Sequence, residues 1–226
     1  MEKGDLKIAS KRYNMYELDG IDVHYHKDDN EETYAGKIVY KDNVTFASKD
    51  LHDVELNIKL LQYIVTKLLS NSNSCALLIG TAISYNGKGL LLFSSGNEAF
   101  DFASLWNKHN EIVYINSCMN FVVKEDNKLY LYGNPWCSEN GVNNNIIVEL
   151  TNTIFLYNDK KVSSRKLEST ESFFKITNHI VTPQDEKALQ GCNEVLDSLV
   201  NLNNYVIYTK QNKKSIDELK RVIGVL

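Results

Sequence analysis

Residues 75–93 read CALLIGTAISYNGKGLLLF, and residues 94–106 continue as SSGNEAFDFASLW. Two hydrophobic runs stand on either side of Asn86-Gly87. That dipeptide between two β-forming runs is the strongest short-range hairpin signal, because both residues tolerate the positive φ of a tight turn. The spacing after it predicts a helix over Phe100–Trp106. The whole apolar stretch from Ser74 to Phe93 is interrupted by Ser, Thr, Asn, Lys and Gly, so it is too broken to be a transmembrane span.

Downstream, Ile112–Ile115 reads as a short buried strand. Asn120–Lys124 and Lys128–Tyr132 bracket a turn at Glu125-Asp126-Asn127. Ile146–Leu150 and Thr153–Tyr157 read as two further strands. Glu186–Leu202 has helical spacing through Leu189, Val195, Leu196 and Leu199, Tyr205–Tyr208 reads as a strand, and Ser215–Val225 as a closing helix with a serine cap. Upstream, Tyr13–Leu18, Ile21–Tyr25 and Lys37–Tyr40 read as strands, with KDDNEE as a solvated loop between them. Asp53 to Leu69 carries Val54, Ile58, Leu61, Ile64, Val65 and Leu68 at helical spacing, with Asp53 placed to cap it. The class is therefore α/β or α+β without an internal repeat. A strand-rich segment over 1–52, expected to pack on the rest, precedes a main domain over 53–226.

Composition narrows the partners. The chain has 226 residues, 43% hydrophobic and 24% charged, with only two prolines, which suits a folded core. Its formal net charge of -4 argues against a nucleic-acid binder, since phosphate neutralisation needs surplus Lys and Arg. A local basic patch is left open, although the sequence gives no strong reason to expect one. Cys75, Cys118, Cys137 and Cys192 form no C-x-x-C pair, so zinc ligation and disulfide stapling are not expected. The opening MEKGDLKIASKRYN has no apolar signal core, which places the expectation in a reducing cytoplasm.

Four segments, in order, carry a resemblance: IGTAISYNGKGLLLF, YINSCMNF, KLYLYGNPWC and VELTNTIFLYNDKKV. From about Leu77 onward the chain resembles the HPr kinase/phosphorylase and PEP-carboxykinase-like group, and most of all the small kinase-like proteins encoded beside peptide-modification enzymes. The resemblance implies a P-loop scaffold of the HPr-kinase C-terminal-domain type. In that group the first segment leads into the phosphate loop, the second bears paired aspartates, the third holds a Gly-Thr-Pro-Trp-like stretch, and the fourth is a strand near the active site.

A phosphate loop needs glycines whose backbone N–H groups wrap the phosphates at a helix start. It also needs a lysine for the β- and γ-phosphates and a hydroxyl for magnesium. Where the group reads Gly-x-Ser-Gly-x-Gly-Lys-Ser-Thr, this chain reads Phe93-Ser94-Ser95-Gly96-Asn97-Glu98-Ala99-Phe100-Asp101. Ser95 and Gly96 match. Phe93 and Glu98 replace glycines, Ala99 stands at the lysine, and Phe100 and Asp101 replace the Ser-Thr pair. Glu98 and Asp101 would repel a triphosphate. The paired aspartates fall at Ser117 and Cys118, which are poor ligands for a hard cation, and the usual His-Gly reads Ile79-Gly80.

The expectation is a catalytically degenerate pseudokinase that binds a peptide or protein partner, with no metal and no cofactor. It would act in bacterial peptide modification, alone, as a homo-oligomer, or paired with an active paralogue. A divergent ATP- and magnesium-dependent phosphotransferase, an enzyme rebuilt around Glu98, Asp101 and Cys118, and a regulatory ligand sensor are the rivals. Asn134, Pro135 and Trp136 are candidate partner contacts, although Gly, Asn and Pro also make ordinary turns. The run Gly141–Asn145 reads as a flexible loop. His24 and His26, with Asp22, Asp28 and Asp29 nearby, suit a solvated strand edge better than a metal site. No G-x-S-x-G, H-E-x-x-H or G-x-G-x-x-G motif occurs.

Overall fold

In a computed structural model, the chain divides into two compact units, Met1–Ile64 and Val65–Leu226. The structure describes residues 74–108, 111–134, 142–183, 186–210 and 212–224, and the backbone of 3–8, 11–18, 20–28, 31–41 and 43–48.

The first unit contains five strands: β1 (Lys3–Ile8), β2 (Lys11–Leu18), β3 (Gly20–Asp28), β4 (Glu31–Lys41) and β5 (Asn43–Ser48). They form an antiparallel meander in the order β1-β2-β3-β4-β5. The expected KDDNEE loop is corrected: Asp28 pairs with Glu31 and His26 with Glu32, so strand pairing continues into both ends of that run. Charge alone misleads here, because Asp and Glu at the ends of a hairpin occur in paired strand as well as in a loop. β1 and β5 were not expected. The helix expected over Asp53–Leu69 lies outside the described residues.

In the second unit the chain enters β6 (Cys75–Ile79) and β7 (Thr81–Tyr85), then turns at Asn86-Gly87 into β8 (Lys88–Phe93). Asn86 and Gly87 have φ of 50° and 74°, so the hairpin forms as its dipeptide predicts. The run CALLIGTAISY is not one strand. It breaks at Gly80, where an added Cβ would lie 2.8 Å from the carbonyl oxygen of Leu92 and 3.0 Å from the Phe93 ring. Only glycine lets the backbone pass that closely.

Helix α1 (Glu98–Asn107) follows, then β9 (Ile112–Asn116), β10 (Met119–Glu125), β11 (Lys128–Tyr132) and β12 (Ile147–Asn158). The expected pair Ile146–Leu150 and Thr153–Tyr157 is a single strand with an irregularity between Leu150 and Asn152. β13 (Ser163–Lys166) and α2 (Ser169–Thr177) are polar elements that hydrophobic periodicity did not disclose. α3 (Glu186–Val200), β14 (Asn203–Thr209) and α4 (Lys213–Val222) complete the unit. The cap of α4 is Asn212, whose side chain accepts from the Ser215 N–H, while Ser215 itself is buried inside the first turn.

The sheet runs β6-β10-β11-β12-β8-β7-β9, with β14 and then β13 branching from β12. Strands β8, β12 and β14 are mutually parallel. Successive residues of the parallel strands serve opposite faces. Leu91, Phe93, Phe155 and Val206 pack with α2 and α3 through Ile176, Val195 and Leu199. Leu90, Leu92, Ile154 and Ile207 pack with α1 and α4 through Phe102, Trp106, Ile216 and Leu219. A sheet covered on both faces requires uninterrupted apolar runs, and GLLLF and TIFL are those runs. The unit is a mixed α/β layered structure of the α+β kind. No helix among the described residues is long and apolar enough to cross a membrane.

Most of this sheet's outer edges are occupied. Ile79 N–H donates to the carbonyl of His179 and Val181 N–H to that of Leu77, covering β6. Asn144 covers β9 through its backbone N–H to Ile115 and its side chain to the Tyr114 carbonyl. Asn204 ties the sheet to α3: its amide donates to the carbonyls of Leu199 and Val200 at the helix end, and its Oδ1 accepts from Thr153. Asn204 and Thr153 are both buried. Replacing Asn204 by Ala strands these partners away from water, and urea unfolding is expected to show a loss of about 1–3 kcal/mol.

Candidate functional site

Parallel strands β8 and β9 end on the same side of the sheet, and α1 starts between them. Open crevices form outside the carboxyl ends of such strands. Here a cavity of about 540 Å³ lies there, lined by Ile79, Gly80, Thr81, Ser94, Gly96, Asn97, Ala99, Phe100, Asp101, Ser117 and Cys118. The fold thus gathers three stretches that are far apart in sequence: 79–81, 94–101 and 117–118. The volume falls in the range of small-ligand sites.

The segment from Ser94 to Asp101 closes on itself. The Glu98 carboxylate accepts from the Gly96 N–H at 3.0 Å. Ser94 Oγ accepts from the Ala99 N–H at 3.1 Å and donates to the Gly96 carbonyl at 2.8 Å. These are backbone donors that a helix start leaves open for an anion. In this chain Glu98 supplies the negative charge from within, two residues along. Ala99, at the position expected to hold the lysine, is buried against the sheet. Phe100 faces the Tyr114 ring at 5.9 Å between centroids. Burial pushes the Tyr114 phenol up; its hydrogen bond to Ser104 opposes this, and the nearby Asp101 charge adds to it. Ser95 is exposed and is not among the lining residues.

The opposite wall is organised by Asn116, which is fully buried. Its Oδ1 accepts from the N–H groups of Cys118 and Met119, and its amide donates to the backbone and side-chain oxygens of Asn134. Asn134 in turn donates to the Met119 carbonyl, so its side chain serves the wall itself. Pro135 and Trp136, the other two candidate contacts, lie outside the described residues. Ser117 Oγ accepts from the Val142 N–H. The run expected as a flexible loop is in part anchored, since Asn143 bridges to Asn116 and Asn144 bonds to β9. Gly141 lies outside the described residues.

Ile79 stands on the rim, 47% exposed, where its apolar side chain can do no acid–base work. Beneath, Asn120 donates to the carbonyls of Gly80 and Cys118. Phe93 is fully buried and stacks on Phe155 at 4.9 Å and on His179 at 4.4 Å. The position that a phosphate loop fills with glycine is therefore part of the core. Ser94, Asn116, Asn120 and His179 were missed by sequence reasoning. Polar residues inside or beside apolar strands were their only signal.

The fit to ATP and magnesium is poor. Among the described residues no lysine, arginine or histidine lines the cavity, while Asp101 does. Ser117 and Cys118 offer a hydroxyl already bonded to Val142 and a soft thiol, neither suited to a hard cation. Among the described residues no group of three His, Cys, Asp or Glu side chains converges on a metal position. His24 and His26 lie in β3. Burial pushes the Cys192 thiol up to about 11.

Burial holds the His179 imidazole below its usual value near 6.5, against the opposing effect of a backbone hydrogen bond at Ile79. Above that pH both folded and unfolded chains carry it neutral. As pH falls through about 6.5, the unfolded chain takes up the proton first and stability declines. Unfolding midpoints in urea between about pH 7.5 and about pH 5 are expected to fall in the native chain. His179→Phe keeps the ring stack and flattens that part of the profile, with stability at about pH 7.5 changed by less than about 1.5 kcal/mol.

No protein-family model matches the chain, and no curated protein sequence matches it.

Proposed function

We propose that the chain is a catalytically degenerate member of the HPr-kinase/PEP-carboxykinase-like group that works by binding a peptide or protein partner, in a bacterial peptide-modification setting. One observation carries the reading: the segment that would cradle phosphates answers its own N–H donors with Glu98 and Ser94. A triphosphate would have to displace a covalently tethered carboxylate and then face Asp101 without a cation beside it. Binding remains within the cavity's means. Ile79 gives it an exposed apolar rim, Phe100 an aromatic wall, and Gly80 a stretch of accessible backbone.

A site rebuilt for catalysis around Glu98, Asp101 and Cys118, or a divergent phosphotransferase, is the second reading. On its side stands the placement of Asp101 and Cys118 in the lining of one cavity. Fold by itself favours neither, because function resides in the site.

Titration calorimetry of the full chain with ATP and magnesium decides between them. The expected result is no saturable heat. A micromolar dissociation constant that disappears on substitution within Ser95–Asp101 overturns the binding-protein reading and installs the phosphotransferase one.

A further inference from the structure

The carboxyl ends of β12 and β14 lie side by side, with Asn158 opposite Thr209 in parallel register. Beyond them the chain reads NDKK over 158–161 and TKQNKK over 209–214. Lys160, Lys161, Lys210, Lys213 and Lys214 are all exposed. None of the five forms an ion pair with a described residue. Five other basic residues of this unit do, Lys128 with Glu149, Arg165 and Lys175 with Glu171, Lys220 with Glu111 and Arg221 with Glu218, whereas Lys88, Lys108, Lys124, Lys166 and Lys187 form none with a described residue either. The sequence leaves room for such a patch without giving a strong reason to expect it. The patch escapes a linear reading because about fifty residues separate its two halves.

The local backbone adds to the charge. Lys213 and Lys214 occupy the first turn of α4, which contains no acid. A helix N-terminus carries partial positive charge, so lysines there oppose the dipole and reduce stability. Asn212 satisfies the Ser215 N–H but brings no negative charge. Glu218, one turn on, is hydrogen-bonded by Arg221 and Ser164 and also feels the Lys214 charge. A shallow depression of about 610 Å³ lies against the patch, lined by Asn158, Asp159, Lys160, Thr209 and Lys210. Asp159 is the one carboxylate in that lining, and it already accepts from the Lys161 N–H.

Five exposed lysines, two of them set against a helix dipole, beside a depression lined by polar residues, suit an anionic partner. We propose that this face docks an acidic segment, rich in Asp and Glu, of a partner protein. A nucleic acid fits less well. The chain holds 29 acidic against 25 basic residues, and the depression's lining offers no aromatic ring for base stacking. A lipid surface fits less well too, because among the described residues no large hydrophobic side chain lines the depression to enter a membrane. The face is separate from the cavity at α1, so it stands whether or not that cavity binds a peptide.

Fluorescence anisotropy of the full chain with a labelled Asp/Glu-rich peptide tests the proposal. The peptide is expected to bind at low salt and to weaken as salt rises. The triple variant Lys160→Glu, Lys210→Glu, Lys213→Glu, checked for folding by circular dichroism, is expected to bind at least about tenfold more weakly. Lys187→Glu, on α3, is expected to change affinity by less than about twofold. Lys213→Glu alone is expected to weaken binding while raising the thermal midpoint by about 1–3 °C, an opposition that a purely structural lysine would not show. Absence of peptide binding at low salt, equal affinity in the triple variant, or tighter binding of single-stranded RNA or of phosphatidylserine vesicles than of the peptide overturns it.

Discussion

Strand β12 runs through the middle of the larger sheet and changes partners along its length. Residues 147–149 pair antiparallel with β11; beyond Leu150 the strand lies parallel to β8 on one side and to β14 on the other. With both edges hydrogen-bonded, its buried residues must satisfy two packing layers at once. Phe155 belongs to the layer of α2 and α3, while Ile154 and Leu156 belong to the layer of α1 and α4. An apolar alternation with no wet face is the only pattern compatible with that position. The irregularity at Leu150/Asn152 lies within the parallel pairing with β8, where Leu150 pairs with Gly89 and Asn152 with Leu90, so Thr151 is an extra residue that the ladder absorbs without ending.

Both candidate sites are consequences of that parallel core. Strands β8 and β14 each deliver the chain to a helix on the same face, α1 and α4. The two helices treat their starts in opposite ways. The first turn of α1 holds Glu98 and Asp101, and Glu98 folds back on its own loop. The first turn of α4 holds Lys213 and Lys214 and no acid. One end is electrostatically closed and the other is left open, within one sheet and one architectural rule. The resulting molecule presents an acid-lined cavity and a basic face at the carboxyl ends of neighbouring strands.

Much of this was legible in particular residues. Asn86-Gly87 placed the hairpin, and the Leu189–Leu199 spacing placed α3 within two residues of its observed end. Of the Phe93–Asp101 run singled out in the sequence, Ser94, Gly96, Asn97, Ala99, Phe100 and Asp101 line one cavity with Ile79, Ser117 and Cys118, while Phe93 is in the core. What stayed hidden depended on distance or on polarity. β13 and α2 read SSRK and STESFFKIT, polar stretches whose form is imposed by β14 and α3 rather than by their own periodicity. The Asn116–Asn134 pair and the Asn204–Thr153 link join residues 18 and 51 positions apart. No local pattern announces such partners. Ser215 was taken for a cap because serine is a good one; the better-placed acceptor was three residues earlier, at Asn212.

The covered edges of the larger sheet limit how this protein can meet another. β6 is occupied over Leu77–Ile79 by residues 179–181, and β9 over Tyr114–Asn116 by Asn143 and Asn144. The edge at β13 is four residues long and carries Arg165 and Lys166. A short, cationic edge makes a poor template for a foreign strand. The larger sheet therefore does not grow by annexing backbone from a neighbour. A contact made at this unit by side chains and their charges, rather than by backbone, would respond to ionic strength and could be released without unfolding anything.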